Sequence, residues 1–369
     1  MKNACIVLKK SVNAAPDAGV NAVLDELFLG GYALDEIRFL PQSDEKKVIH
    51  ALTALKTEYD NIFVLAEKTA LPVAKSYLSS EGESAQAYAE FANAVVYDGK
   101  KSSLFLCSTD QTETGTQYIR NACIPFLQKK YGLRFDKIVL RAVGANSAHV
   151  EQTLSEAKRM GGNAISCAHT RKYDEDIVEI TYDSNTPKML ADDVLRMLAE
   201  GFGDTIYALD NTTLENQLVS LLKVRGKRLS VAESFTGGGV ARRIVSVPGA
   251  SEVYFEGLNT YNEGSKIKRL GVSPYTLGTV GAVSEKTAYE MALGLLNTGD
   301  CDIAVSTTGL AGPTSDRSDL PVGLAYIAVG TREKIFVYRY HFDGDRRQIT
   351  QKAINYALYL AYKQLKDIG

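Results

Sequence analysis

The chain has 369 residues, which is enough for two or three compact units rather than one. With 45% hydrophobic and 23% charged residues it can bury a sizeable core, and a formal net charge of −2 argues against a general nucleic-acid or membrane-surface binder. No apolar stretch reaches the roughly 18 residues of a membrane span. The apolar run of MKNACIVLKK is too short for a signal peptide, so the sequence predicts a cytoplasmic protein.

The first 130 residues alternate strand and helix. NACIVLK, EIRFL, NIFVLA and SSLFLCST read as strands, the last two as short apolar runs typical of buried parallel sheets. GVNAVLDELFLGG reads as a helix closed by glycine, and SDEKKVIHALTALKTEY as a helix with a serine cap. This predicts a doubly wound α/β domain over 1–130. Residues 131–210 then predict a small β-α-β-β-α domain: FDKIVLRAV, SAHVEQTLSEAKRMGG, NAISCAH, DIVEITYD and PKMLADDVLRMLAEGFG, with TIYALDN as a short junction. From 211 the α/β pattern returns. RLSVAES, VYFEGLNTY and CDIAVSTTG are strands, VGLAYIAVGTREKIFVYRYHF is a hairpin, and an amphipathic helix closes the chain. Five scattered cysteines without a CxxC pair read as reduced, buried thiols. Four isolated histidines offer no zinc motif.

Three glycine-rich turns of the last domain fall where ligands of open α/β sheets sit, beyond the carboxyl ends of strands. They are ESFTGGG, YNEGSK and TTGLAGPT. Their glycines (Gly237, Gly238, Gly309, Gly312) either make tight turns or let backbone N–H groups hold an anion such as a phosphate. Ser234 and Thr236 are nucleophiles only if a base takes their proton. No histidine stands nearby in sequence, which leaves Lys266 as the candidate base. Its polar surroundings, NEGSKIKRLG, suit a solvated surface lysine equally well. A lysine acting as a base near pH 7 needs its pKa lowered by about three units, about 4 kcal/mol. Arg346 could help as a neighbouring cation or could hold a phosphate. Tyr261, Ser251 and Thr308 are further hydroxyl donors.

VAESFTGG, PGASEVYFEGLNTYNEGSK, GAVSE, STTGLAGP, PVGLAYIAV and FDGDRR occur in the order and spacing of the CinA C-terminal domain family, which the region from 211 to 369 resembles. That family includes the PncC-type nicotinamide-mononucleotide deamidases. The resemblance implies a three-layer α/β amidohydrolase that converts nicotinamide mononucleotide and water to nicotinate mononucleotide and ammonia. It implies no metal and no cofactor for the amidase, a pyridine nucleotide as the small-molecule partner, no nucleic acid, and a homodimer. Carried over by motif, Ser234 is the nucleophile, Lys266 the base, and Tyr261 and Thr236 their supporting hydroxyls. The turns with Gly237, Gly238, Thr308, Gly309 and Gly312, together with Arg346, would bind phosphate and ribose. Ser251 is the second candidate nucleophile. Two departures stand out: Phe235 where the family has cysteine, and Leu320 where a lysine is common.

The layout of full-length CinA proteins extends the resemblance to a molybdopterin-binding-like domain over 1–130 and a KH-like domain over 131–210. LKKSVNAAPDAG and FVLAEKTALP lack the glycines and acidic residues of the family's first domain, so that domain is expected to have lost its pyrophosphatase site. An alternative reading makes the chain a non-catalytic nucleotide-binding or regulatory protein of the competence and damage response, with Phe235 blocking the pocket. A third, in which an N-terminal nucleotide or pterin site defines the protein, is disfavoured by the missing glycine loops.

Overall fold

A computed structural model describes residues 1–10, 18–80, 84–88, 94–99, 101–314 and 319–367. Parts of LKKSVNAAPDAG (11–17) and of PTSDRSDLPVG (315–318) lie outside the described residues. The chain separates into two compact units. One is 1–137 with 163–166 and 181–191; the other is 138–162, 167–180 and 192–369. Most of the segment expected as a middle domain therefore groups with the C-terminal region.

The first unit begins with β1 (Asn3–Lys9), α1 (Ala18–Leu29), β2 (Glu36–Pro41), α2 (Glu45–Glu58), β3 (Asn61–Ala66) and α3 (Leu71–Ser80). There follow β4 (Ser84–Tyr88), β5 (Ala94–Asp98), β6 (Ser103–Ser108), α4 (Thr112–Tyr118) and α5 (Ile124–Tyr131). The sheet order is β2-β1-β3-β6-β5-β4, with β4 and β5 antiparallel to their neighbours and the rest parallel. Alternate side chains leave opposite faces of each strand. Ile6, Ile62, Val64 and Leu104 pack with Val48, Leu52 and Leu55 of α2. Cys5, Phe63 and Phe105 pack with Val23 and Leu27 of α1. Both faces are covered, as a doubly wound sheet requires. The cap of α2 is Asp44, not the expected serine; its carboxylate accepts from the Lys47 N–H at 3.1 Å. All five cysteines are free thiols, four of them buried.

Next come β7 (Phe135–Val143), α6 (Ser147–Gly161), β8 (Ile165–Lys172), β9 (Glu175–Asp183), α7 (Lys188–Phe202) and β10 (Ile206–Ala208). They form a sheet of order β10-β7-β9-β8. The expected junction TIYALDN thus supplies a strand, antiparallel to β7. Between β8 and β9 the chain turns through Tyr173 and Asp174, both left-handed with φ of 54° and 59°.

The C-terminal region contains α8 (Leu214–Arg225), β11 (Leu229–Glu233), α9 (Gly239–Val245), β12 (Tyr254–Asn259) and α10 (Glu263–Leu270). After them come α11 (Pro274–Val280), α12 (Glu285–Thr298), β13 (Ile303–Gly309), β14 (Leu324–Gly330), β15 (Ile335–His341) and α13 (Arg346–Asp367). The sheet order is β12-β11-β13-β14-β15, parallel across the first three strands and antiparallel across the last three. Val231, Val305 and Ile327 face α8, α9 and α13. The small residues Ala232, Ala304 and Ala328 face the helical layer of α10, α11 and α12. This is the three-layer α/β arrangement expected from the sequence. α13 also fastens the middle segment: Asn355 Nδ2 donates to the Tyr173 carbonyl at 2.9 Å, and the Tyr359 hydroxyl donates to the Asp204 carbonyl at 2.6 Å. Lys352 pairs with Asp174 at 3.5 Å.

Gly294 sits in the middle of α12, where alanine is ordinarily better by roughly 1 kcal/mol. A Cβ there would stand 2.9 Å from the Leu270 Cα, against backbone that cannot step aside. Gly294→Ala is therefore expected to lower stability by about 1–3 kcal/mol, read as a shift of the urea midpoint.

Candidate active site

β11 is followed in sequence by β12 on one side of it and β13 on the other, so the carboxyl end of β11 is the switch point of this sheet, where open α/β folds place ligands. Glu233 is its last residue, in register with Asn259 of β12 and Thr307 of β13. Immediately beyond it stands Ser234, 8% exposed, its N–H donating to the Thr307 carbonyl at 3.0 Å.

Lys266 enters from α10. Asn262 caps that helix by accepting the Gly264 N–H at 2.8 Å, and Gly271 stops it in the left-handed conformation. The lysine is 1% exposed. Its Nζ lies 2.9 Å from Ser234 Oγ, 2.7 Å from the Thr260 carbonyl oxygen and 3.3 Å from that of Tyr261. Among the described residues no carboxylate pairs with it. Burial lowers its pKa from 10.5 to about 8, opposed weakly by the more distant charge of Glu263. The solvated-lysine reading is thereby excluded. Desolvation does the work for which Arg346 was considered.

The pair opens into a cavity of about 220 Å3 lined also by Phe235, Val283, Thr308, Leu310, Gly312 and Arg346. Tyr261, Ala282, Gly309, Ala311 and Thr314 also line it. The Thr308 hydroxyl donates to the Ala282 carbonyl at 2.6 Å. Arg346 adds a guanidinium to this cavity; its Nη1 donates to the Gly312 carbonyl at 2.7 Å and its Nη2 reaches the Tyr261 hydroxyl at 3.5 Å. The Phe235 ring is buried among Ala311, Ala325, Phe342, Ile349 and Ala353, and the cavity persists beside it. Leu320 packs against Val283, Leu310 and Leu324, an apolar contact in place of a cation.

Four expectations are corrected. Ser251 is exposed and precedes the amino end of β12, remote in topology from the carboxyl ends that hold Ser234. Thr236 bonds the Thr307 hydroxyl at 2.6 Å and touches neither Ser234 nor Lys266 by hydrogen bond. Tyr261 supports Lys266 through its main-chain carbonyl, while the residue is 64% exposed and its hydroxyl faces Arg346. Gly237 and Gly238 do not line the cavity, and the N–H groups they organise are taken. Glu233, 1% exposed, accepts from the N–H groups of Gly238 (3.1 Å), Val240 (3.0 Å) and Ala241 (2.8 Å). Gly237 and Gly238 have φ of 63° and 90°, which only glycine adopts at little cost. A side chain on Gly239 would collide with Ile354 of α13. The glycine run thus serves an internal carboxylate and a close helix contact. Thr260 and Thr307 were missed because their parts are played by main-chain carbonyls and a strand-borne hydroxyl. Glu233 was legible as a carboxylate just ahead of a helix start. Among the described residues no group of three or more His, Cys, Asp or Glu is arranged to hold a metal ion. No helix among them is long and apolar enough to cross a membrane.

Residues 211–365 match the CinA C-terminal domain. A CinA-like protein of Kosmotoga olearia is 37% identical over 241 residues, 64% of this chain and 58% of that protein. The chain spans about 58–60% of the length of the first curated relatives it matches. Among solved structures, a CinA superfamily protein from Klebsiella pneumoniae is 31% identical, with a TM-score of 0.41, covering 42% of this chain and 96% of that one. A competence/damage inducible protein, CihA, from Agrobacterium tumefaciens is 34% identical, with a TM-score of 0.39, covering 40% and 90%.

A lysine whose folded pKa lies below its unfolded value penalises the folded state wherever both forms are protonated, below about pH 8. The penalty fades as pH rises toward 10.5. Between pH 7 and 10.5 the wild type should therefore gain stability relative to Lys266→Met, on the order of 3 kcal/mol, measured by urea unfolding at the two pH values.

Proposed function

Because residues 211–365 match the CinA C-terminal domain, we propose that this domain is an amidohydrolase of nicotinamide nucleotides. The reaction is nicotinamide mononucleotide plus water to nicotinate mononucleotide plus ammonia, the substrate being the one implied by the resemblance of its ordered motifs. The observation that carries the reading is a buried lysine amine 2.9 Å from a serine hydroxyl at a cavity floor.

As an ammonium, Lys266 donates to Ser234 and to the two carbonyls of Thr260 and Tyr261. As a neutral amine it has two N–H groups, which the carbonyls occupy, and its lone pair is left facing the Ser234 hydroxyl. At pH 7, with a pKa of about 8, about one tenth of the molecules are in this competent form. Ser234 Oγ attacks the amide carbon while its proton moves to Nζ. The amide nitrogen takes that proton from the ammonium as the tetrahedral intermediate collapses, and leaves as ammonia. Lys266, neutral again, then takes a proton from water as it attacks the acyl-enzyme, and its return to Ser234 frees the carboxylate product. With the glycine-turn N–H groups occupied by Glu233, the nucleotide's phosphate goes to Arg346 at the other side of the cavity. The volume, about 220 Å3, is small beside the roughly 300 Å3 at which ligand pockets usually begin. It suits the amide-bearing ring, with ribose and phosphate toward the rim.

The full-length protein should release ammonia from nicotinamide mononucleotide. kcat/KM should rise with pH and level off above about 8, as Lys266 loses its proton. Lys266→Ala and Ser234→Ala should each lose about a thousandfold or more. A folded Lys266→Ala with full activity sinks the mechanism. Arg346→Ala should raise KM about tenfold or more with kcat little changed; the same substitution should leave turnover of the riboside, which lacks the phosphate, at its wild-type level.

A further inference from the structure

Glu233 belongs to none of the roles above, yet it is the buried carboxylate nearest in sequence to the nucleophile. Its two oxygens take three N–H groups from the first turn of α9, at 3.1, 3.0 and 2.8 Å. Its main-chain carbonyl accepts the Thr260 N–H at 2.8 Å, and Thr260 in turn holds Lys266 Nζ through its own carbonyl. One residue therefore grips both halves of the pair: the turn that carries Ser234 by its side chain, and the β12 end that carries the lysine's acceptor by its backbone. Ser234 lies between these two attachments, with its N–H tied to Thr307 and its carbonyl accepting the Gly237 N–H at 3.2 Å.

We infer that Glu233 is a positioning residue that acts as a built-in anion. It fills the N–H cluster at the start of α9 and so holds Ser234 Oγ within proton-transfer distance of Lys266 Nζ. Three convergent donors on a buried carboxylate are more than a helix start requires, since a single side-chain oxygen commonly suffices as a cap. The two left-handed glycines Gly237 and Gly238 give the turn the shape by which those donors converge. Without the carboxylate the donors have no acceptor, a buried group left unmet, and the turn relaxes toward water. The serine moves with it. This inference rests on the proposed Ser234–Lys266 chemistry.

The test uses the full chain and reads the nucleophile directly. Ser234 is labelled with a fluorophosphonate probe, whose rate is followed by mass spectrometry, and ammonia release is measured in parallel. Wild type should label at Ser234. Glu233→Ala should label about tenfold to a hundredfold more slowly, the scale on which a misplaced reacting group is felt, with KM for nicotinamide mononucleotide little changed. Millimolar formate, entering the vacated N–H cluster, should restore part of the rate. Should Glu233→Ala fail to fold, Glu233→Gln keeps the shape and loses the charge; it should label slowly while unfolding near the wild-type temperature. A folded variant that labels at the wild-type rate overturns the positioning role alone, as does a slow Glu233→Ala that formate leaves slow. A wild type unlabelled at Ser234 overturns both this inference and the proposed chemistry.

Discussion

An amine kept out of water, with only neutral oxygens around it, is the constraint on which the site depends. A lysine next to a carboxylate stays charged and useless as a base; Lys266 instead meets two main-chain carbonyls and a hydroxyl, and the sheet and α10 close over it. Its residual attraction to Glu263 is too weak to undo the desolvation. The same burial that makes it reactive costs stability, a trade common at catalytic positions.

The surrounding architecture can be understood as what this burial demands. Three parallel strands bring Glu233, Asn259 and Thr307, at or near their carboxyl ends, to one level, so the residues just beyond them meet without long loops. The alanines Ala232, Ala304 and Ala328 leave room on that face for α12, and Gly294 lets α12 approach the end of α10. Close packing of α12 on α10 fixes the height of Lys266 above the sheet.

Much of this was legible in the sequence. The apolar runs and helix signals placed the four parallel strands of the first sheet, the strands of the last sheet and the closing helix, because periodicity and caps are local properties; the antiparallel β4 and β5 were not read. The Ser234–Lys266 pairing was legible only as what the family resemblance implies, since the lysine's polar neighbours suited a solvated side chain equally well and Ser251 stood as a second hydroxyl; the 2.9 Å contact brings Ser234 to the lysine. The errors share a cause. Glycine is needed equally for a bound phosphate, a left-handed turn and a tight helix contact, so VAESFTGGG could not reveal that its own glutamate occupies the N–H groups. Tyr261 and Thr260 act through carbonyls, which every residue has. Ser251 lies one motif away in sequence but at the wrong end of β12, and TIYALDN became β10 only through its pairing with β7.

The fastening of the middle segment to α13 has a consequence of another kind. Lys352, Asn355 and Tyr359 lie three and four residues apart, one stripe of the helix, and all three meet their partners through polar atoms. Beside that stripe, Val143, Tyr207 and Ala208 of the middle segment lie in the same buried cluster as Leu214 and Leu218 of α8 and Leu358 of α13. Stripping the segment away would therefore uncover apolar core, so the polar stripe orients a seam whose adhesion is hydrophobic.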